Sequence, residues 1–330
     1  MTDLLQVAAL STHFGTRNGT IRAVDDVSLT IVRGETVGLV GESGCGKSTL
    51  GKTLVGLLRP TSGSIRIHGA EVGSLGRRAR RPFARRMQMV FQDPFSSLNP
   101  RIGVGRLIEE PLIVHGIGTA AERRARADAM MARVGLSPAM RDRYPHEFSG
   151  GQRQRIGIAR GLVLEPDLLI CDEPVSALDL SVQAQVINLL VDLQAELGHS
   201  YLFISHDLAV VEHIADRILV MYLGRIVESA VATELWSRPL HPYSRGLAAA
   251  APVADPVTAR ARPSELIRGD VPSLFSVPSG CGFHPRCPIA IDRCVLHPPE
   301  LQALSGNRAV ACHRVAESRD GGITLAGNPV

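Results

Sequence analysis

The sequence predicts an α/β fold interrupted by a helical insertion and followed by a small extension rich in cysteine and proline. Three observations lead there. Apolar runs of strand length (AVDDVSLTIV, GETVGLVG, DLLICDE, YLFISHD) alternate with helical stretches (KSTLGKTLVGLL, SVQAQVINLLVDLQAELG), the rhythm of strand–helix units. From about Asp93 to Val163 the pattern turns helical, with AAERRARADAMMARVGL as its clearest amphipathic stretch. Beyond Trp236 the composition shifts to proline, glycine, serine and cysteine. The expected organisation is a core over 1–237, carrying a helical subdomain at about 93–163, and an extension over 238–330.

The bulk properties bound the class. A chain of 330 residues, 45% hydrophobic and 21% charged, is long enough for one large domain and an appendage and apolar enough to bury a core. Its longest apolar stretches, such as LVLEPDLLI and DRILVMYLG, are broken by charge or glycine short of the roughly 20 residues a bilayer-spanning helix needs. The start, MTDLLQVAALSTHFG, lacks a basic stretch followed by an apolar core, so a cytosolic location is expected. The net charge of +4 is mild, and the run Arg77 to Arg86 (RRARRPFARR) reads as a solvated helix face rather than a lipid or nucleic-acid contact. No internal repeat is apparent, so one chain carries the parts of one site.

In chain order, the first strand–loop–helix unit contains Gly41-Glu42-Ser43-Gly44-Cys45-Gly46-Lys47-Ser48-Thr49, which fits the phosphate-binding pattern G-x-x-x-x-G-K-S/T in its required context. The glycines let backbone N–H groups turn towards phosphate oxygens at a positive helix end, Lys47 neutralises the outer phosphates, and Ser48 suits Mg²⁺. Cys45 occupies a variable position of the loop. Farther on, Leu168-Leu-Ile-Cys-Asp172-Glu173 is an apolar strand ending in two acids. Cys171 reads as a small buried hydrophobe there. Asp172 suits the metal of a Mg-nucleotide, and Glu173 the orientation or deprotonation of an attacking water.

Between these lies Phe148-Ser149-Gly150-Gly151-Gln152-Arg153-Gln154-Arg155. A hydroxyl and glycine N–H groups at a helix start make a second anion receptor that a lone phosphate loop does not need. This stretch resembles the signature of the ATP-binding cassette (ABC) family. The resemblance implies a P-loop ABC ATPase core with an antiparallel β subdomain and a helical subdomain. It also implies that two cassettes pair head to tail, so that Ser149, Gly150, Gly151 and Gln152 of one cover the ATP held by the other, with Asp179 of Ser176-Ala-Leu-Asp179 reaching across. The other stations carry over in sequence order. Gln92 is similar to the glutamine that contacts Mg²⁺ and senses the membrane partner, His206 to the switch histidine near the γ-phosphate, and Phe14 to the aromatic that stacks on adenine. ATP and Mg²⁺ are the implied substrate and cofactor, with Lys47, Gln92, Glu173 and His206 as catalytic residues and Ser48, Gln92 and Asp172 as Mg²⁺ ligands.

The run Arg238-Pro-Leu-His241-Pro242-Tyr243 is similar to the start of the extension in oligopeptide and dipeptide importer ATPases, as are FQDPFSSLNPR and PVSALDLSVQAQVINLL. That resemblance implies an ATPase powering peptide import at the cytoplasmic face of the membrane. Its partners would be a second, paralogous or identical, cassette, two transmembrane permease subunits and an extracytoplasmic solute-binding protein, with no nucleic acid. Importers of nickel complexes or haem are the alternative within the family, and a soluble ABC ATPase acting on nucleic acid is the alternative outside it. Cys281, Cys287, Cys294 and Cys312 are separated by five, six and seventeen residues. Sulfur-only ligation suits zinc or an iron–sulfur cluster. The C-x₂-C pairs of a zinc ribbon are absent, and the resemblance in GCGFHPRC implies a [4Fe-4S] cluster.

Overall fold

The computed structural model describes residues 3–17, 19–93, 97–250, 267, 269–317 and 323–325. Residues 94–96 of the FQDPFSSLNPR stretch, and 251–266, 268, 318–322 and 326–330 of the expected extension, lie outside the described residues.

Two sheets share one core. β1 (Asp3–Thr16) and β2 (Gly19–Val32) form a long antiparallel hairpin. β4 (Ser62–Ile67) pairs with the other edge of β1 and with β5 (Ala70–Glu71), giving the order β2-β1-β4-β5. The main sheet is built from β3 (Thr36–Val40), β6 (Met87–Val90), β7 (Leu168–Asp172), β8 (Ser200–Ser205), β9 (Arg217–Tyr222), β10 (Arg225–Val231), β11 (Gln302–Leu304) and β12 (Arg308–Val310). Its order is β11-β12-β10-β9-β3-β8-β7-β6, and the five strands from β9 to β6 run parallel.

Every residue of β3, β7 and β8 is buried, as expected for central parallel strands covered on both faces. Alternation still decides which cover each side chain meets. Val37, Leu39, Leu168, Ile170, Leu202 and Ile204 pack with the β1–β2 hairpin and α1 (Lys47–Leu54). Leu169, Cys171, Tyr201 and Phe203 face the opposite cover, formed by helices and the extension. Cys171 is fully buried, and its thiol pKa is raised by that burial. The sequence pattern carried the α1 helix on to Leu58. It stops earlier because Gly56 turns left-handed at φ 81° and the N–H groups of Leu57 and Leu58 fold back onto the Lys52 carbonyl.

The insertion contributes α3 (Val104–His115), α4 (Ala120–Arg133) and α5 (Gly150–Leu162). Thr119 and Glu122 close a reciprocal capping box at the start of α4. Leu107, Ile108, Leu112, Met130, Met131, Phe148 and Ile156 bury the faces these helices share. One residue of the basic run departs from the expected solvated face. Within α2 (Arg77–Ala84), Arg80 is buried; its guanidinium donates to the Val72 carbonyl at 3.0 Å and to the Leu54 carbonyl, at the end of α1, at 2.5 Å.

After α6 (Leu180–Leu197), α7 (Leu208–Ile214) and α8 (Ala232–Ser237), the extension docks onto the core rather than hanging from it. β12 pairs with β10 through Glu228↔Val310. Glu228 is fully buried, which is tolerable because its carboxylate accepts from the N–H groups of Leu240 and His241 at 2.8 Å each and from Arg308 at 3.2 Å. His241 is neutral. Burial pushes its pKa down to about 3, and its Nδ1 accepts from the Tyr243 N–H at 3.0 Å, at the start of α9 (Pro242–Ala250). Tyr243 and Phe283 in turn pack against Tyr222 of β9, with ring centroids 4.6 and 5.3 Å away.

Candidate active site

The loop between β3 and α1 owes its shape to its glycines. Gly46 lies at φ 109°, and a Cβ there would collide with the Ala23 carbonyl oxygen. The close approach of β2 therefore leaves glycine as the one fit. No side chain caps α1, so its first N–H groups are left to suit an anion. The Lys47 ammonium is buried and donates to the carbonyls of Gly41 at 2.7 Å and Glu42 at 3.0 Å. Phosphate oxygens could replace those partners at little cost, since the ammonium is already in the loop.

Across from the loop, β7 delivers its acids. Ser48 Oγ donates to Asp172 Oδ1 at 2.8 Å, bringing two hard oxygen ligands together as Mg²⁺ coordination needs. Burial raises the Asp172 pKa; the Ser48 hydrogen bond and the charges of Lys52 and Lys47 oppose that rise. Glu173 sits in the left-handed region at φ 45°, a costly conformation for a non-glycine residue. Its N–H is held by the Ile204 carbonyl at 2.9 Å. The turn points its carboxylate between two partners: Gln92 Nε2 donates to Oε2 at 2.7 Å, and His206 Nδ1 lies 3.3 Å from Oε1. Lys47, Ser48, Gln92, Asp172, Glu173 and His206 thus meet at the carboxyl ends of β3, β6, β7 and β8, where parallel α/β sheets bind ligands. Phe14 stands near the end of β1, opposite Ile21 and about one-third exposed.

The signature residues are elsewhere. Ser149 caps α5 and forms a reciprocal box with Gln152. Gly151 permits the close approach of Val182 on α6, whose own cap is Asp179, accepting from the Val182 N–H at 3.0 Å. Ser149 and Asp179 are exposed, and among the described residues no hydrogen bond or ion pair joins Ser149, Gln152 or Asp179 to the phosphate loop. The chain brings together one set of candidate residues and leaves Ser149 and Asp179 of the other exposed.

Cys281, Cys287, Cys294 and Cys312 converge in the extension. Each interacts electrostatically with the other three. Burial, more than these neighbours, pushes the Cys281 thiol up to about 11. Among the described residues, no three His, Cys, Asp or Glu side chains form a metal-binding group, so the thiols are neighbours without being a closed shell.

Sequence reasoning missed a link between this extension and the phosphate loop. Glu42 accepts two hydrogen bonds from the Arg286 guanidinium, at 2.8 and 2.9 Å, and its N–H donates to the Tyr243 hydroxyl at 2.8 Å. Tyr243 and Arg286 both lie in stretches that stood out, but nothing in a linear pattern names a partner 201 or 244 residues away.

The ABC transporter family model matches residues 24–176, and the model for the oligopeptide/dipeptide transporter C-terminal region matches 227–294. A putative peptide import ATP-binding protein of Brucella ovis is 53% identical over 313 residues, covering 95% of this chain and 98% of that protein. A probable peptide ABC transporter ATP-binding protein of Sinorhizobium fredii is 53% identical over 317 residues, covering 94% and 89%. Among solved structures, a dimeric post-hydrolysis state of an ATP-binding cassette bound to ADP and phosphate aligns with a TM-score of 0.64 at 28% identity, over 69% of this chain and 98% of that one. A protein from Clostridium perfringens, described as part of an ABC transporter complex, aligns with a TM-score of 0.64 at 31% identity, over 72% and 92%.

Proposed function

The chain belongs to the ABC transporter family, and from that premise we propose that it is the ATP-hydrolysing subunit of an importer for dipeptides or oligopeptides, acting at the cytoplasmic face of the membrane. The observation that carries this reading is the union in one chain of an assembled phosphate-loop site with the C-terminal region of oligopeptide and dipeptide transporters. We divide the chain into a cassette over 1–237, with the helical subdomain at about 93–163, and an extension over 238–330. Among the described residues no helix is long and apolar enough to cross a membrane, so two permease subunits would supply the passage. A solute-binding protein would supply the peptide.

In this reading Ser43, Gly44, Cys45, Gly46 and Thr49 offer backbone N–H groups to the phosphates, and Phe14 supports the adenine. Lys47 neutralises the γ-phosphoryl oxygens. Ser48, Asp172 and Gln92 would hold Mg²⁺, whose charge offsets that of the phosphates. Glu173 takes a proton from, or orients, the attacking water, with its carboxylate held by Gln92 and His206. Among the described residues no hydrogen bond or ion pair ties Ser149, Gln152 or Asp179 to their own chain's loop, which supports a role for Ser149, Gly150, Gly151, Gln152 and Asp179 outside it. They complete the site of a second cassette, identical or paralogous, so transition-state stabilisation requires closure of the pair. ATP, which favours the closed pair, and its products, which do not, would drive the cycle.

The test is reconstitution with the permease subunits in proteoliposomes. ATP hydrolysis should rise, and labelled peptide accumulate, when the binding protein carries peptide. Hydrolysis that ignores peptide would leave the motor intact and remove peptide as its cargo.

The four extension thiols are, in our reading, ligands of a [4Fe-4S] cluster. Their mutual proximity and sulfur-only donor set support it, and a small closure of the side chains would be needed. Such a group would tie the segments around Cys281, Cys294 and Cys312 together. Anaerobically purified chain should then contain about four irons and about four sulfides, and Cys281→Ser should lose them. Zinc, or no metal, in the wild-type chain would overturn the cluster.

A further inference from the structure

We propose that Arg286 is a positioning residue for the phosphate loop: by holding Glu42 it fixes the backbone that receives ATP, so nucleotide affinity depends on a docked extension. The inference rests on the reading of residues 41–49 as the nucleotide site.

Glu42 is the first residue of the loop after Gly41, and four contacts hold it. Its carboxylate is gripped by both terminal nitrogens of Arg286, its N–H is engaged by Tyr243, and its carbonyl accepts from the Lys47 ammonium at 3.0 Å and from the Cys45 N–H at 3.3 Å. With the Glu42 N–H turned outward to Tyr243 and the Cys45 N–H turned back to the Glu42 carbonyl, the other loop donors are left to face the phosphates. Two of the four contacts come from the extension, so a segment that follows the sheet core sets the starting direction of the loop.

The pair is built to be rigid. The Arg286 side chain is 6% exposed and that of Glu42 25%, so the bond works largely outside bulk water and gains more than an exposed pair would. The guanidinium lies 5.9 Å from the ring centroids of both Tyr222 and Phe283, and one of its nitrogens donates to the Tyr222 hydroxyl at 3.3 Å. A planar fork with several donors meets these demands, and a lysine ammonium does not. Arg286 is fixed in turn by the short helix His284–Arg286, which follows Cys281 and is tied by the hydrogen bond from the Cys281 N–H to the Cys294 carbonyl at 2.7 Å. A loop ordered before ATP arrives avoids the entropy cost of ordering it on binding.

The experiment titrates the full-length chain with a fluorescent ATP analogue. Arg286→Met should raise the nucleotide Kd about tenfold, and the KM for ATP with it, while kcat falls less than about threefold, because the loop is displaced and the water-side groups are not. Glu42→Gln should do the same from the loop side. The double variant should be no worse than either single one, since both remove one link. Arg286→Lys should recover part of the affinity. A role confined to stability would lower the melting temperature and leave Kd of the folded chain unchanged. Kd values within about twofold of wild type in both single variants, or additive losses in the double, overturn the proposal. Should Arg286→Met fail to fold, Glu42→Gln reads the same link. A wild-type chain that binds no nucleotide would instead overturn the site itself.

Discussion

Glu173→Gln should keep ATP and lose its hydrolysis by about three orders of magnitude. The substitution preserves size and removes only the group able to accept a proton. The Glu173 carboxylate is held by Gln92 on one side and His206 on the other, and its backbone is fixed in a strained turn by Ile204, so the variant side chain has nowhere else to go. Binding groups are untouched: Lys47 and the Ser48–Asp172 pair belong to other elements. The cassette pair should therefore close on ATP and stay closed, which light scattering detects as a persistent dimer. Turnover within about tenfold of wild type would remove Glu173 from the role given to it.

Ser149→Arg should have nearly as large an effect by a different route. Ser149 is exposed and caps α5, so the chain keeps its core and its own phosphate loop. Affinity of the separated chain for ATP should be unchanged. In the paired cassettes, an arginine side chain at a helix start that must meet phosphate closely would keep those N–H groups away, and loss of such donors costs about 10² to 10³ in rate. Hydrolysis should fall by that factor. Unaltered hydrolysis would mean that α5 does not face a partner's nucleotide.

Much of this architecture was legible because it is local. The phosphate loop is one contiguous turn, Asp172 and Glu173 stand side by side at the end of β7, and apolar strand-length runs alternating with helical stretches announced the α/β core. Gln92 and His206 could be placed only through the family resemblance; their shared contact with Glu173 is a tertiary fact. What stayed hidden was long-range. Arg80 reads like its neighbours in RRARRPFARR, and only the packing of α1 reveals which arginine turns inward to cap the Leu54 carbonyl. The strands β11 and β12 are three residues each, too short for a period to register, yet they extend the main sheet. Glu42 sits at a position the phosphate-loop pattern leaves free. Its importance comes from Arg286 and Tyr243, which the fold brings to it.

The most direct test of the shared ATP site is complementation between two silent chains. A Lys47→Ala chain lacks its own phosphate loop function and keeps its signature; a Ser149→Arg chain is the reverse. In a self-paired cassette each variant alone spoils both sites, whereas a mixed pair carries one site with both defects and one with neither. Mixing should restore hydrolysis to as much as about a quarter of wild type, because about half the pairs are mixed and each has one intact site. Where the partner is a paralogue, placing one defect in each chain should leave one site working, and placing both in the same chain should leave none. Recovery on mixing is the result predicted for a site built from two chains. Persistent silence from mixed pairs, verified as dimers, would contradict it.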